Sequence, residues 1–243
     1  MTRFFVEPAQ LCVPQPVLTG ENAKHAKVLR LKCGEEVLLC DGEGNECLCA
    51  VSAVEDGQIG LAVLQRRESE TEAAVRVSVY MAFPQADKLE HVIQKATELG
   101  AYEIVAFPSS RCISKPDDKS LAKKVERWQK IAASAAEQSG RGRIPQVLTL
   151  PSYKVALERA SRADKALLFY ENERATTLRM ALESGPYKTV SLLTGPEGGL
   201  EEKEVQQALD AGLSVCTLGK RILRCETAPL CALSAVMYDA GEF

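Results

Sequence analysis

The hydrophobic pattern of this 243-residue chain changes period near residue 75, and that change limits what it can fold into. Upstream, apolar residues come in short alternating runs. Glu36-Val37-Leu38-Leu39-Cys40 leads into Asp41-Gly42 and Gly44-Asn45, and Cys47-Leu48-Cys49-Ala50-Val51-Ser52-Ala53-Val54 follows. Asp-Gly between two such runs is hairpin chemistry, because a tight turn there requires positive φ. Glu55-Asp56-Gly57 turns the chain again into Ile59-Gly60-Leu61-Ala62-Val63-Leu64. One short helix is expected over 21–29, with Ala26, Val28 and Leu29 facing inward. Several short strands in so little sequence predict a small β-barrel.

Downstream, strand-like runs alternate with helical spacing. Val75-Arg76-Val77-Ser78-Val79-Tyr80-Met81 reads as a strand. Leu89, Val92, Ile93, Ala96 and Leu99 recur at helical spacing over 86–99, and Gly100 supplies the stop. Further strands are expected at 103–107, 166–170, 189–193 and 214–218. Helices are expected at 118–139, 152–161, 176–183, 201–211 and 228–240. This alternation predicts an α/β domain, a mostly parallel sheet with helices on both faces. The charged stretch 66–74 has no apolar period and is read as the linker, giving domains 1–72 and 73–243.

Composition removes some classes of function. No apolar run is long enough to span a membrane, and the first residues carry no signal-like apolar region, so a cytoplasmic protein is expected. The nine cysteines are odd in number, include no Cys-x-x-Cys and accompany only two histidines. They read as reduced, small apolar residues, and no metal is expected. The net charge of −3 does not announce a nucleic-acid binder, but its distribution is uneven. Residues 1–73 hold seven Lys and Arg against twelve Asp and Glu, whereas 111–143 hold nine against four. The basic stretch suits either local contact with phosphate or a solvated helix face.

The chemistry concentrates in two loops near the carboxyl end. One is Leu193-Thr194-Gly195-Pro196-Glu197-Gly198-Gly199. The other is Leu218-Gly219-Lys220-Arg221-Ile222-Leu223-Arg224-Cys225-Glu226-Thr227-Ala228. If they followed neighbouring parallel strands, they would face one crevice, where open α/β sheets bind ligands. The first loop matches neither a phosphate cradle nor the Gly-x-Gly-x-x-Gly dinucleotide fingerprint, and its Glu197 carboxylate opposes a phosphate. A nucleoside-like ligand without phosphates fits that loop better, although alone it also suits a tight strand-to-helix turn. In the second, Ile222 and Leu223 could form a flat slot for a base, while the planar forks of Arg221 and Arg224 could meet a carboxylate or a phosphate, or form salt bridges in a surface loop.

Taken together, these motifs resemble the ribosomal RNA small subunit methyltransferase E family of the SPOUT class. Lys95-Ala96-Thr97-Glu98-Leu99-Gly100, Glu126-Arg127-Trp128, Ala136-Glu137-Gln138-Ser139-Gly140-Arg141, Arg3-Phe4-Phe5 and Lys27-Val28-Leu29-Arg30-Leu31-Lys32 extend the likeness over essentially the whole chain. Lys220 stands where proline is frequent and Cys225 where threonine is frequent. The resemblance implies a C-terminal α/β domain with a deep trefoil knot and an N-terminal PUA-like barrel. It also implies use of S-adenosyl-L-methionine, methylation of uridine N3 in 16S ribosomal RNA of the small ribosomal subunit, and a homodimer.

On that resemblance, Leu193, Thr194, Gly195, Glu197, Gly198, Leu218, Gly219, Ile222, Leu223, Thr227 and Ala228 are expected to form the cofactor slot, with Ile222 near the adenine. Arg224 is expected to face the uridine, and Glu226 to orient it or help the N3 proton leave. Arg3, Lys27, Arg30 and Arg141 are candidate RNA contacts, while His25 is either a further one or a partly buried imidazole. Arg141 belongs to a polar helix end that could equally complement a helix dipole. The competing classes are a non-catalytic RNA-binding protein of ribosome assembly and a dinucleotide oxidoreductase.

Overall fold

A computed structural model describes residues 1–113 and 118–243. Lys115 and Asp117 of the basic stretch lie outside the described residues. The chain divides into two compact units. The first comprises Met1–Glu72 with Ala136–Ile144, and the second Ala73–Ala135 with Pro145–Phe243. The participation of 136–144 in the first unit was not apparent from the sequence.

The first unit contains β1 (Thr2–Phe5), α1 (Pro8–Cys12), β2 (Val17–Leu18), α2 (Gly20–Val28), β3 (Glu36–Cys40), β4 (Asn45–Glu55) and β5 (Gln58–Glu68). Its five strands pair in the order β1-β3-β4-β5-β2, with β1–β3 parallel and the others antiparallel. The β3–β4 turn forms as its composition predicts. The Asp41 carboxylate accepts from the backbone N–H groups of Glu43 and Asn45, and Gly42 takes φ 78°. Alternate residues Cys47, Cys49 and Val51 of β4 point into a core with Phe4, Leu39 and Leu61. Register shifts after Leu48 and Val51 mark bulges, which bend the long β4–β5 hairpin.

Two local expectations need correction. Val28 is 78% exposed and Leu29 is also exposed, so they do not face inward; Ala23 and Ala26 do. Ala23 and Ala26 take the inward face of α2, and Val28, two residues past Ala26, falls on the opposite side. The stretch read as linker is partly strand, because β5 continues to Glu68 opposite Asn45–Cys47. Charge pairing across the hairpin replaces apolar periodicity there: Arg67 Nε lies 2.8 Å from Glu46 Oε1.

The second unit contains β6 (Arg76–Ala82), α3 (Lys88–Glu98), β7 (Glu103–Phe107), most of α4 (Asp118–Ser139), β8 (Gln146–Thr149), α5 (Tyr153–Ala160), β9 (Lys165–Phe169), α6 (Leu178–Glu183), β10 (Thr189–Thr194), α7 (Glu202–Asp210), β11 (Ser214–Cys216) and α8 (Thr227–Asp239). All six strands are parallel, in the order β11-β9-β10-β6-β7-β8. Every residue of β7 and β9 is buried, as a parallel sheet covered on both faces requires. The α3 stripe of Leu89, Val92, Ile93 and Ala96 is buried as the spacing predicts. Ser152 and Thr177 cap α5 and α6, each accepting from a backbone N–H three residues on.

The sheet order revises one expectation. The glycine-bearing loops follow β10 and β11, and these strands are not neighbours, since β9 lies between them. Three successive strand ends therefore meet at one edge of the sheet, not two. The short β8 was not expected at all; four residues carry too little alternation to be seen.

Candidate functional site

The loops after β9, β10 and β11 enclose a cleft of about 480 Å³, within the range of small-molecule sites. Thr194, Gly195, Glu197, Gly198, Leu218, Gly219, Ile222, Leu223 and Ala228 line it, as do Arg224 and Glu226. Two expected residues do not. Leu193 is wholly buried inside β10, and Thr227 begins α8 with its side chain turned to solvent. Ile222 is 80% exposed and forms the rim.

Backbone geometry shapes the loop after β10. Gly199 has φ 67°, and the Glu171 carboxylate occupies the place where a Cβ would stand. Any side chain there would be strained and would displace Glu171. Arg111 Nη1 donates to the Gly198 carbonyl at 2.8 Å and so fixes the loop from the β7 side. The loop after β11 leads directly into α8, with the Thr227 and Ala228 N–H groups donating to the Arg224 carbonyl.

The electrostatics centre on two carboxylates. Glu197 Oε1 accepts from Lys88 Nζ at 2.7 Å and from the Gln85 N–H at 2.9 Å. Burial would raise its pKa, but these donors hold it below the ordinary glutamate range. Burial likewise opposes ionisation of Glu226. Its own N–H, the Cys225 thiol, Lys88 and Arg224 together bring it below that range. Both groups are therefore anionic near neutrality. Burial, then Glu226, pushes the Cys225 thiol up to about 12, so it stays protonated and donates to Glu226 Oε2. The same lining carries Arg174, Lys220, Arg221 and Arg224, so the cleft presents both signs of charge and suits a ligand of mixed charge.

Lys88, Glu171, Arg174 and Arg111 escaped the sequence reading. Glu171 and Arg174 sit in a polar run directly after the predicted third strand, which was the available signal. Lys88 had none, because its partner Glu197 lies 109 residues away.

The expected RNA contacts separate into two groups. Arg3 and Arg141 are turned inward. Arg3, with 10% of its side chain exposed, reaches Glu46 at 2.9 Å. Arg141, with 5% exposed, reaches Glu72 at 2.7 Å. Neither is an open phosphate contact in this conformation. His25 meets Glu137 at 3.2 Å and stands edge-on to Phe4. Lys27 and Arg30 are exposed, Lys27 beside Asp56 at 3.2 Å. Arg30 takes φ 57°, which is uncommon for a residue with a side chain. Among the described residues no cluster of three or more His, Cys, Asp or Glu could hold a metal ion, and no helix is long and apolar enough to cross a membrane.

The chain thus joins a parallel α/β unit with a cleft at its strand ends to a small β-rich unit, and matching family models make it an RNA methyltransferase. Residues 71–237 match the family model described as RNA methyltransferase domain, and residues 18–64 match the RNA methyltransferase PUA domain. The chain is 38% identical to ribosomal RNA small subunit methyltransferase E of Bacillus subtilis (strain 168), covering 98% of this chain and 97% of the relative. It is 34% identical to the protein of that name from Mycobacterium bovis, covering 90% and 85%. A solved structure of ribosomal RNA small subunit methyltransferase E from Neisseria gonorrhoeae bound to S-adenosyl methionine superposes with TM-score 0.84 at 32% identity, covering 98% and 97%. The chain belongs to the ribosomal RNA small subunit methyltransferase E family. That membership favours the methyltransferase reading over a non-catalytic RNA-binding protein and over a dinucleotide oxidoreductase.

Proposed function

We propose that this protein transfers the methyl group of S-adenosylmethionine to N3 of a uridine in 16S ribosomal RNA. The observation that carries the reading is the cleft between residues 195–199 and 217–226, which joins backbone-rich walls to an ionised carboxylate pair and an exposed arginine. It fits a sulfonium nucleoside, having room for one and no phosphate cradle. When bound, S-adenosylmethionine supplies a methyl group already activated by its positive sulfur.

The remaining work falls to the protein's own residues. Backbone groups of Gly195, Gly198, Leu218 and Gly219 hold the nucleoside, and Leu223 and Ile222 cover its base. Alignment of this kind is worth up to about 7–11 kcal/mol. Uracil N3 carries a proton, and its loss spreads negative charge onto the ring oxygens. Arg224 faces that charge, and Glu226, anionic and two residues further along, orients the arginine or accepts the proton. Lys27, Arg30 and His25 contact RNA phosphate from the first unit. The two loops form the trefoil knot that the family resemblance implies.

We also read the protein as a homodimer in the cytoplasm. The outward side of α8 presents Leu230, Cys231, Ser234, Ala235 and Tyr238, an apolar strip that a second copy would cover. Sedimentation at micromolar concentration is expected to give a dimer. For the active site, Arg224→Ala should reduce tritium transfer to RNA by about 100-fold or more and change the calorimetric Kd for S-adenosylmethionine by less than about three-fold. Equal losses in both would contradict its role.

A further inference from the structure

Lys88 is the first residue of α3, and its side chain enters the cleft. Its ammonium lies 2.7 Å from Glu197 Oε1 and 3.9 Å from Glu226 Oε2. These carboxylates belong to different loops, one after β10 and the other after β11. Like charges sharing one cleft repel, and a cation within reach of both offsets that repulsion. Ala86, two residues earlier, has φ 54°, a left-handed conformation that side-chain-bearing residues rarely take. The turn carrying Ala86 also delivers the Gln85 N–H to the same Glu197 oxygen, at 2.9 Å. Two donors from one strained turn thus converge on one carboxylate oxygen at the edge of a ligand cleft. Strain of this kind persists where the surroundings enforce it, and it gathers at functional sites.

We propose that Lys88 is a positioning residue that couples the two loops, holding Glu197 and Glu226 on a single cation so that residues 195–199 and 217–226 adopt their ligand-binding arrangement together. The proposal rests on the reading of this cleft as the methyl-donor site. Lys88 itself touches neither reacting atom. Its effect passes through Glu197 to the glycine loop and through Glu226 to the loop that carries Arg224.

The test is a mutant cycle read by calorimetric Kd for S-adenosylmethionine. Glu197→Gln, Glu226→Gln and the double variant are titrated with Lys88 present, in Lys88→Met and in Lys88→Arg. Lys88→Met alone is expected to weaken binding by roughly five-fold. With Lys88 present, the two glutamine substitutions should be non-additive by about three-fold or more. In Lys88→Met only the mutual repulsion of the two carboxylates should remain, so the coupling should differ by about three-fold or more, and Lys88→Arg should restore it. The same coupling with Lys88 present and in Lys88→Met overturns the proposal.

Leu223→Arg, which fills the cleft, separates the two levels of inference. If it leaves the Kd unchanged, the donor binds elsewhere and both readings fall. If it abolishes binding while the coupling is the same with and without Lys88, only the role of Lys88 falls. Should Lys88→Met melt before titration, hydrogen exchange on Lys88→Gln reads the same coupling. Faster exchange in both loops is expected, and acceleration confined to 195–199 overturns the proposal.

Discussion

Arg30→Gly is expected to move stability and RNA affinity in opposite directions. The end of α2 is a Schellman turn: the Leu31 N–H donates to the Ala26 carbonyl at 3.2 Å and the Arg30 N–H to that of Lys27 at 3.0 Å. The residue after the helix cap takes the left-handed conformation in this motif and is usually glycine. Here it is Arg30, at φ 57°. A left-handed residue bearing a Cβ costs about 1–2 kcal/mol. Glycine removes that cost but adds about 0.5–1 kcal/mol of unfolded-chain entropy. The net gain should be about 0.5–1 kcal/mol, raising Tm by a few degrees. Arg30 is exposed, as is Lys27, and the proposed phosphate contact would use it.

Losing one phosphate contact lowers the slope of log K against log salt by about 1, with affinity falling nearly uniformly across RNA sequences. Differential scanning calorimetry and filter binding of a 16S ribosomal RNA fragment from low to moderate salt would measure both quantities. Unchanged affinity and slope would refute the RNA contact. A lower Tm would refute the strain.

Three further outcomes follow from single groups. Gly199→Ala forces a side chain to φ 67° and into the Glu171 carboxylate, so the Kd for S-adenosylmethionine should rise at least about ten-fold, near the 1–2 kcal/mol left-handed penalty; a change within two-fold would count against the loop's role. Glu46→Ala leaves the buried guanidinium of Arg3 without its carboxylate and deprives Arg67 as well, which should lower unfolding free energy in urea by about 3 kcal/mol; a loss below about 1 kcal/mol would mean that the network is neutral. The carboxyl of Glu197 is held below its unfolded value by Lys88 and Gln85 against the effect of burial. Its contribution is therefore complete above the unfolded glutamate pKa of about 4.3 and is lost as pH falls through the lower folded value. The native protein should lose more stability than Glu197→Gln between about pH 5 and 3, and identical acid limbs would contradict the ion pair.

Much of the fold was legible because the relevant signals are local. The period change after Val75, the Asp41-Gly42 turn and the α3 stripe each occupy a few neighbouring residues. The two ligand loops were legible for the same reason, since glycines and arginines crowd into short stretches. What escaped depends on topology. The order β9-β10-β6 brings Glu171 beside Gly199 and Lys88 beside Glu197, and no local pattern encodes it. Arg3 and Arg141 looked like surface cations, yet each finds a carboxylate 43 and 69 residues away, respectively. Val28 and Leu29 were expected to face inward, but Ala23 and Ala26 take that face of α2.

The most direct test is a crystal structure of the protein grown with S-adenosylmethionine. We expect the nucleoside between residues 195–199 and 217–226, with its base covered by Leu223 and Ile222 and its methyl group open toward Arg224. The donor bound at another surface, with both loops left exposed to solvent, would contradict the assignment of this cleft.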